Sequence, residues 1–266
     1  MFTFRKKTEK PSTWLKNGYY HLVGGTVSSL ASTIVLQCNG IQPSLLGASR
    51  TFARAGIETM VFENIGQATE KKMTESNNPT DYWKIGMASG VFIAAGNSLV
   101  STVFSNVYNY QDTNPEEETK CPYKTAYHMI KKEGTKTLFR GYLSNTFSKM
   151  LFVPTLRGLL AVNGYWLNKM NANSNSLIRK RVVTPFIKGS LSGLETSLIV
   201  KPLDEVIRAV MNKKKIDKKK ITQKTWDTIR FASPEIGLNV LLYSNMKHFF
   251  GPAKISSLVK KKIFHK

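Results

Sequence analysis

The sequence predicts an all-α membrane protein with six transmembrane helices, and three observations lead to that fold class. Two long stretches, Asn17–Ser49 and Ile85–Gln111, contain no Asp, Glu, Lys or Arg, and a membrane-crossing helix needs about 20 mostly apolar residues. Both stretches are rich in Gly, Ala, Ser and Thr, which is typical of closely packed membrane helices. Elsewhere apolar residues recur at helical spacing, and no strand pattern of comparable length competes.

Four of the six predicted helices carry isolated charges, which are costly inside a membrane and usually face a protein interior or a wet cavity. Asn39-Gly40 ends the first helix, Pro43 opens the second, and the polar run at 112–118 follows the third. In order, the predicted helices are Gly18–Leu36, Pro43–Glu70, Ile85–Tyr110, Tyr142–Asn168, Val182–Met211 and Trp226–Phe250.

The charge is strongly basic, with 39 Lys+Arg against 17 Asp+Glu and a formal net charge of +22 over 266 residues. A basic excess first suggests nucleic-acid binding. The best candidate patch, the lysine-rich run at 213–220, has no binding motif beside it, and such a run is usually a solvated loop. The same charges suit the surface of an anionic membrane, so we predict no nucleic-acid partner.

Enzymatic chemistry finds little support in the sequence. The four histidines lack metal-ligand spacing, the two cysteines are not in a CxxC pair, and no phosphate-binding loop or serine nucleophile motif is present. Asp204 and Glu205 are adjacent and therefore diverge on a helix instead of converging as an acid and a base. We predict no enzyme activity, no metal and no cofactor.

An internal repeat is visible in both helix sets. The odd-numbered helices share a small-residue pattern, at Gly25–Ser29, Gly86–Gly90 and Gly189–Gly193. The even-numbered helices end on an aromatic residue with a charge nearby: Phe62 with Glu63, Tyr165 with Lys169, and Tyr243 with Lys247. Three small-residue helices alternating with three aromatic-closed helices predict three two-helix repeats.

With these repeats the chain resembles the mitochondrial carrier family over roughly residues 17–250. The resemblance rests on the Gly patterns and on three further motifs at the family's spacing: Glu133-Gly134, Phe139-Arg140-Gly141 and Pro202-Leu203-Asp204. It implies three pairs of membrane helices, each pair joined by a short matrix helix and arranged with threefold pseudosymmetry around a central cavity.

The resemblance also implies a division of the chain. The stretch from the Gly anchor to the closing aromatic is longest in the middle repeat, so repeats one and three are shortened on the matrix side. The segments are an N-terminal tail (1–16), repeat one without a matrix helix (17–72), complete repeat two (84–170), shortened repeat three (182–250) and a basic C-terminal tail (251–266).

Family members alternate access by breaking and remaking two rings of ion pairs. On the matrix side, repeat three keeps Pro202 and Asp204, but Arg208 stands one residue beyond the family's cation position, a rotation of about 100° on a helix. The other ring is predicted at Phe62, Glu63, Tyr165, Lys169, Tyr243 and Lys247, with one acid and two cations. Both rings are therefore expected to be incomplete.

Substrate and lipid contacts follow from the same resemblance. The candidate substrate contacts are Arg50, Lys149, Arg157 and Arg230. Arg50, Arg54 and Glu58 lie four apart on one helix face, either as an anion-binding remnant or with Arg54 and Glu58 as a structural pair. Phe139, Arg140 and Gly141 resemble a family cardiolipin site, where a helix N-terminus binds phosphate; alternatively, Gly141 serves only packing.

Two functions of different classes follow. The first is a carrier-fold protein that no longer transports and serves as a structural or accessory subunit of a respiratory-type inner-membrane complex. The second is an active carrier that exchanges an anionic metabolite or nucleotide, with Arg50 as its main contact. In both cases we expect a multi-pass protein of the mitochondrial inner membrane with bound cardiolipin, and in the first case other membrane subunits as partners.

Overall fold

The computed structural model describes residues 13–74, 78–114, 121–172, 174, 176–211 and 216–251, and this part of the chain is helical with no β-strand. The predicted all-α class is confirmed. Most of both predicted tails, at 1–12 and 252–266, lies outside the described residues. The α-helices are α1 (Thr13–Cys38), α2 (Leu45–Thr74), α3 (Pro79–Thr113), α4 (Pro122–Glu133), α5 (Tyr142–Met170), α6 (Thr184–Met211) and α7 (Lys218–Phe250).

Six long helices form a closed ring, and α4 is the short helix outside it. The most extensive contacts join α1 to α2, α3 to α5, and α6 to α7. Smaller contacts join α2 to α3 and α5 to α6, and α7 packs on α1 to close the ring. The amphipathic α4 packs against α3 through Met129 and Val107, and a 3₁₀ turn (Thr135–Phe139) leads from it into α5.

The three small-residue patterns all lie where paired helices cross. A Cβ atom placed on Gly25 would lie 2.7 Å from the carbonyl oxygen of Phe52 in α2. The same atom on Gly86 would lie 2.8 Å from the carbonyl oxygen of Arg157 in α5, and on Gly189 2.7 Å from that of Ile236 in α7. In each pair, therefore, the absence of a side chain lets two helix backbones approach closely.

Local capping explains several helix ends. The Asn78 side chain accepts a hydrogen bond from the Thr80 N–H, and Pro79 occupies the first turn of α3. The Asp217 carboxylate likewise accepts from the Lys220 N–H, so α7 begins at Lys218, earlier than the predicted Trp226. Gly40, with φ of 75°, turns the chain between α1 and α2.

One helix of the described residues, α3, is both long and apolar enough to cross a membrane, with a mean hydropathy of 1.5 in its most apolar window. Direct support for the six predicted spans is therefore limited to α3. The other ring helices have 26 to 33 residues, so they exceed the length of about 20 that a crossing requires. Their Gly, Ser, Thr and charged residues lower their hydropathy.

Candidate functional site: a cavity inside the helix ring

Two adjoining cavities of about 410 and 270 Å³ lie inside the ring, and we refer to them together as the central cavity. They share five lining residues: Glu58, Phe62, Asn97, Leu156 and Leu160. Every long helix contributes to the combined lining, since α1 and α7 line the smaller part and α6 the larger. The site is thus built by the whole ring.

Two of the predicted substrate contacts line this cavity, and both are engaged by α2. Lys149 Nζ in α5 lies 3.4 Å from Glu58 Oε1, and both side chains are largely shielded. The Arg157 guanidinium lies over the Phe62 ring, 4.4 Å from its centroid. These contacts hold α2 and α5 together across the cavity while keeping two positive charges at its wall.

Arg50 lies outside the central cavity, at the contact between α2 and α3. Its guanidinium makes a two-point contact with Asp112 at 2.8 and 3.1 Å and reaches Gln111 Oε1 at 3.3 Å. The Tyr108 ring lies 5.0 Å beneath it, and the Tyr108 hydroxyl donates to the Arg50 carbonyl oxygen. With this geometry Arg50 connects α2 to α3, and its side chain lies away from the predicted substrate position.

Arg230 also lies away from the central cavity. Its side chain is exposed, donates to Asn39 Oδ1 in the turn between α1 and α2, and lies 5.9 Å from the Phe231 ring. Arg54 is exposed, and Glu58 reaches Lys149 across the ring. Of the four predicted substrate contacts, the structure therefore brings together Lys149 and Arg157.

Among the polar residues of the cavity wall that the sequence did not point to, Asn97 and Lys201 stand out. Asn97 of α3 is buried, and its Oδ1 has no hydrogen-bond partner among the described residues. Lys201 of α6 lines the larger part of the cavity. An amide in the middle of an uncharged helix is a recognisable signal, because polar groups at membrane depth usually face an interior.

At the end of the ring where α1 begins and α7 ends, two of the predicted gate residues, Glu63 and Lys247, form an ion pair. Lys247 Nζ lies 3.2 Å from Glu63 Oε2, and the Glu63 side chain is only 5% exposed. Tyr243 packs nearby against the Tyr19–Tyr20 cluster of α1. The pair joins α2 to α7, the first repeat to the third.

Lys169, the gate cation predicted in the second repeat, does not join the Glu63–Lys247 pair. The Lys169 ammonium lies over the Trp166 ring, 5.5 Å from its centroid. The Tyr165 ring packs at a tilt against the Tyr82 ring of α3, with ring centroids 5.3 Å apart. Both residues line a separate depression between α3, α5 and α6.

At the opposite end of the ring, the predicted matrix-gate acid makes contacts with neighbouring elements. Asp204 is buried and accepts a hydrogen bond from Ser148 of α5 at 2.5 Å. Its distance to Lys201, one turn earlier in the same helix, is 4.0 Å. Pro202 lies within α6, and the Arg208 side chain lies outside the described residues.

The adjacent Glu205 provides a further contact at this end. It contacts Lys201 of its own helix at 3.1 Å and Lys224 of α7 at 2.7 Å. The contacts of Asp204 and Glu205 thus link α5 to α6 and α6 to α7, and the Arg50–Asp112 pair links α2 to α3 at the same end.

The predicted lipid triplet stands at the start of α5. Phe139 and Arg140 are exposed, and Gly141 caps the helix with φ of 78°. A Cβ atom on Gly141 would meet nothing within 4 Å, so this glycine serves backbone conformation and not close packing. The Asn106 side chain donates to the Leu138 and Arg140 carbonyl oxygens and fixes the turn from α3.

Both cysteines are exposed and unpaired with each other. Cys121 precedes α4, where the backbone N–H groups of Lys124 and Tyr123 hold the pKa of its thiol below the usual value. In the part of the chain that the structure describes, no group of three His, Cys, Asp or Glu side chains is placed to hold a metal ion.

No protein family, curated protein or solved structure matches this chain. The class of the protein therefore rests on its own geometry, an all-helical ring around a largely apolar cavity that carries a few charged side chains.

Proposed function

We propose that this chain is a membrane protein of the mitochondrial-carrier architecture that serves as a structural or accessory subunit of an inner-membrane complex. In this proposal the six long helices cross the inner membrane as three pseudosymmetric pairs. The order of contacts around the ring supports it, because strong contacts within pairs alternate with weaker contacts between them. The glycine crossings support it too, because each pair uses the same motif at its crossing.

Exposed apolar side chains support membrane placement beyond α3. On α1, Leu22, Leu30 and Ile34 lie at multiples of four residues and are all exposed. On α6 the exposed apolar stripe consists of Ile187, Leu191, Leu194 and Leu198. Stripes of this kind are unfavourable in water, and lipid tails would cover them.

The observation that carries the loss of transport is the incomplete set of ion pairs at the predicted gate positions. A threefold gate needs charges of both signs from every repeat, since single pairs contribute little and closure depends on several acting together. Glu63 and Lys247 join repeats one and three, whereas Lys169 of repeat two lies over Trp166. At the other end the gate acid Asp204 bonds Ser148 of repeat two, and repeat one is held there by the Arg50–Asp112 pair, which lies outside the predicted gate positions.

A structural role is supported by the exposed apolar turn between α1 and α2, at the end of repeat one opposite the chain termini. Repeat two carries α4 there, whereas α1 and α2 are joined by residues 39–44 alone. Ile41, Leu45 and Leu46 are exposed at this turn, with Leu45 at 89%. Other inner-membrane subunits are the proposed partners, and cardiolipin is the proposed lipid at Phe139, Arg140 and Gly141.

The alternative is an active carrier of an anionic metabolite or nucleotide, and the central cavity favours it. A volume of about 410 Å³ lies in the range of small-molecule sites. Lys149, Arg157 and Lys201 line it. In this alternative, the Lys149–Glu58 and Lys247–Glu63 ion pairs across the ring belong to a resting state, and a bound substrate would break them.

Purification from native membranes tests the structural role. The full chain, tagged at its C-terminus, is extracted in a mild detergent and its migration on a native gel is compared with that of respiratory and ATP-synthase complexes. We expect stable co-migration with a large inner-membrane complex. Recovery as a free monomer after the same mild extraction would count against the proposal.

A further inference from the structure

A separate cavity of about 350 Å³ opens between α3, α5 and α6 at the end of the ring where α3 and α6 begin. It shares no lining residue with the central cavity. Its wall includes Tyr82 of α3, Gly164, Tyr165, Asn168 and Lys169 of α5, and Lys188 of α6. We refer to it as the lysine–tyrosine cavity.

Gly164 makes room for one of the two lysines. A Cβ atom on Gly164 would lie 2.9 Å from Lys188 Nζ and 3.0 Å from Lys188 Cε. The Lys188 side chain therefore runs across the position that any other residue at 164 would fill. This packing directs the ammonium group of α6 onto the surface of α5.

The second lysine, Lys169, belongs to α5. Lys169 is positioned by the Trp166 ring, one turn earlier, at 5.5 Å from the ring centroid. Tyr82 and Tyr165 form an aromatic wall beside it, with ring centroids 5.3 Å apart. The cavity thus combines two ammonium groups with phenol hydroxyls and the Asn168 amide, all able to donate hydrogen bonds.

Among the residues that the structure describes, none that lines this cavity is acidic. We propose that the lysine–tyrosine cavity binds a phosphate group, either the headgroup of an anionic phospholipid or a soluble phosphate compound. Ammonium groups are compact charges that bind phosphate well, and charge-assisted hydrogen bonds are the stronger ones. This proposal does not require that the chain transports a solute. The option in which the phosphate belongs to a lipid headgroup rests on the proposed membrane placement.

The cavity also gives Lys169 a role other than the gate predicted from the sequence. A gate cation needs an acid from another repeat, whereas here Lys169 lies beside Trp166 and shares a cavity with Lys188. The two lysines lie on facing helices of neighbouring repeats, so a bound phosphate would bridge α5 and α6.

Isothermal titration of the purified full chain in a neutral detergent tests the site. The probes are inorganic pyrophosphate and dihexanoyl phosphatidic acid, with dihexanoylglycerol as the lipid that lacks phosphate. We expect saturable binding of at least one phosphate probe, weakened by added salt. Lys169→Gln and Lys188→Gln should each lower the affinity about tenfold, the effect of losing one charge-assisted contact.

Two further variants separate binding from folding and from general charge. Gly164→Ala keeps both charges but displaces Lys188, so it should also weaken binding. Lys224→Gln removes a lysine that contacts Glu205 at the other end of the ring, and it should leave phosphate affinity unchanged. Circular dichroism verifies that each variant is helical.

The relative affinities identify the source of the phosphate. Tighter binding of the phosphatidic acid assigns the cavity to a lipid headgroup, and equal or tighter binding of pyrophosphate assigns it to a soluble compound. The proposal is overturned if neither probe binds saturably, or if the cavity variants bind as tightly as the unmodified chain. Neither result bears on migration in a native complex, so the two proposals fail separately.

Discussion

Gly90→Ala is expected to destabilise the protein by about 1–3 kcal/mol, the usual cost of forcing extra atoms into a packed contact. A Cβ atom on Gly90 would lie 2.4 Å from Pro154 Cα and 2.9 Å from Pro154 N. Because both are backbone atoms, no side-chain rotation relieves the overlap, and α3 and α5 must separate. Thermal or denaturant unfolding in detergent measures the loss.

The matched control is Gly18→Ala in α1. A Cβ atom there would meet nothing within 4 Å. Alanine favours a helix over glycine by about 1 kcal/mol, so this variant should be neutral or slightly stabilising. The difference between the two variants isolates the helix crossing. Equal unfolding midpoints would contradict the close approach of α3 and α5.

Lys247→Met is expected to cost about 3 kcal/mol of stability, because it leaves the buried Glu63 carboxylate without its cross-ring cation. The expected cost stays at the lower end of the range for buried pairs since the Lys247 side chain is 37% exposed. The free energy of unfolding in detergent is the measurement.

Two controls define this second result. Lys169→Met removes a cation that lies over an exposed Trp ring and should cost about 0.5–1 kcal/mol. The double variant Glu63→Gln/Lys247→Met removes both charges and should recover part of the stability lost by Lys247→Met. A double variant as unstable as the sum of its single variants would show that the pair does not couple α2 to α7.

The helices were predictable because their signals are local. Uncharged windows and helical periodicity predicted all six long helices, and the Gly patterns marked the crossings that pack closest. The start of α7 was missed because Asp217 caps it from within a lysine-rich run assigned to a loop. The run was assigned to a loop because of its high charge, although the lysines that follow Asp217 have a good helix propensity.

The side-chain partners were only partly predictable. Glu63 and Lys247 were placed at one gate because both follow a closing aromatic, and the ring brings them within 3.2 Å. Arg50 was placed at a substrate contact from the family resemblance, and Asp112 was separately assigned to a polar loop. Since α3 extends to Thr113, Asp112 instead lies in its last turn and holds Arg50. One helical turn at a helix end thus decided the partner of a charge 62 residues away.

The position of Lys169 shows a different limit of prediction from sequence spacing. Its spacing from Tyr165 fits a gate position, but Trp166 stands where an acid is required. The nearby ring and the cavity shared with Lys188 determine where the ammonium group lies. Sequence spacing fixes the face of a helix, and the neighbours on adjacent helices fix the partner.

Transport in liposomes is the decisive measurement, because in the part of the chain that the structure describes the residues at neither set of gate positions form ion pairs that join all three predicted repeats. The full chain is reconstituted, and uptake of labelled ATP, phosphate and carboxylates is measured against protein-free liposomes and against the Lys149→Gln variant. We predict no uptake above the protein-free background for any of these solutes. Saturable exchange of any one of them, reduced in Lys149→Gln, would contradict it.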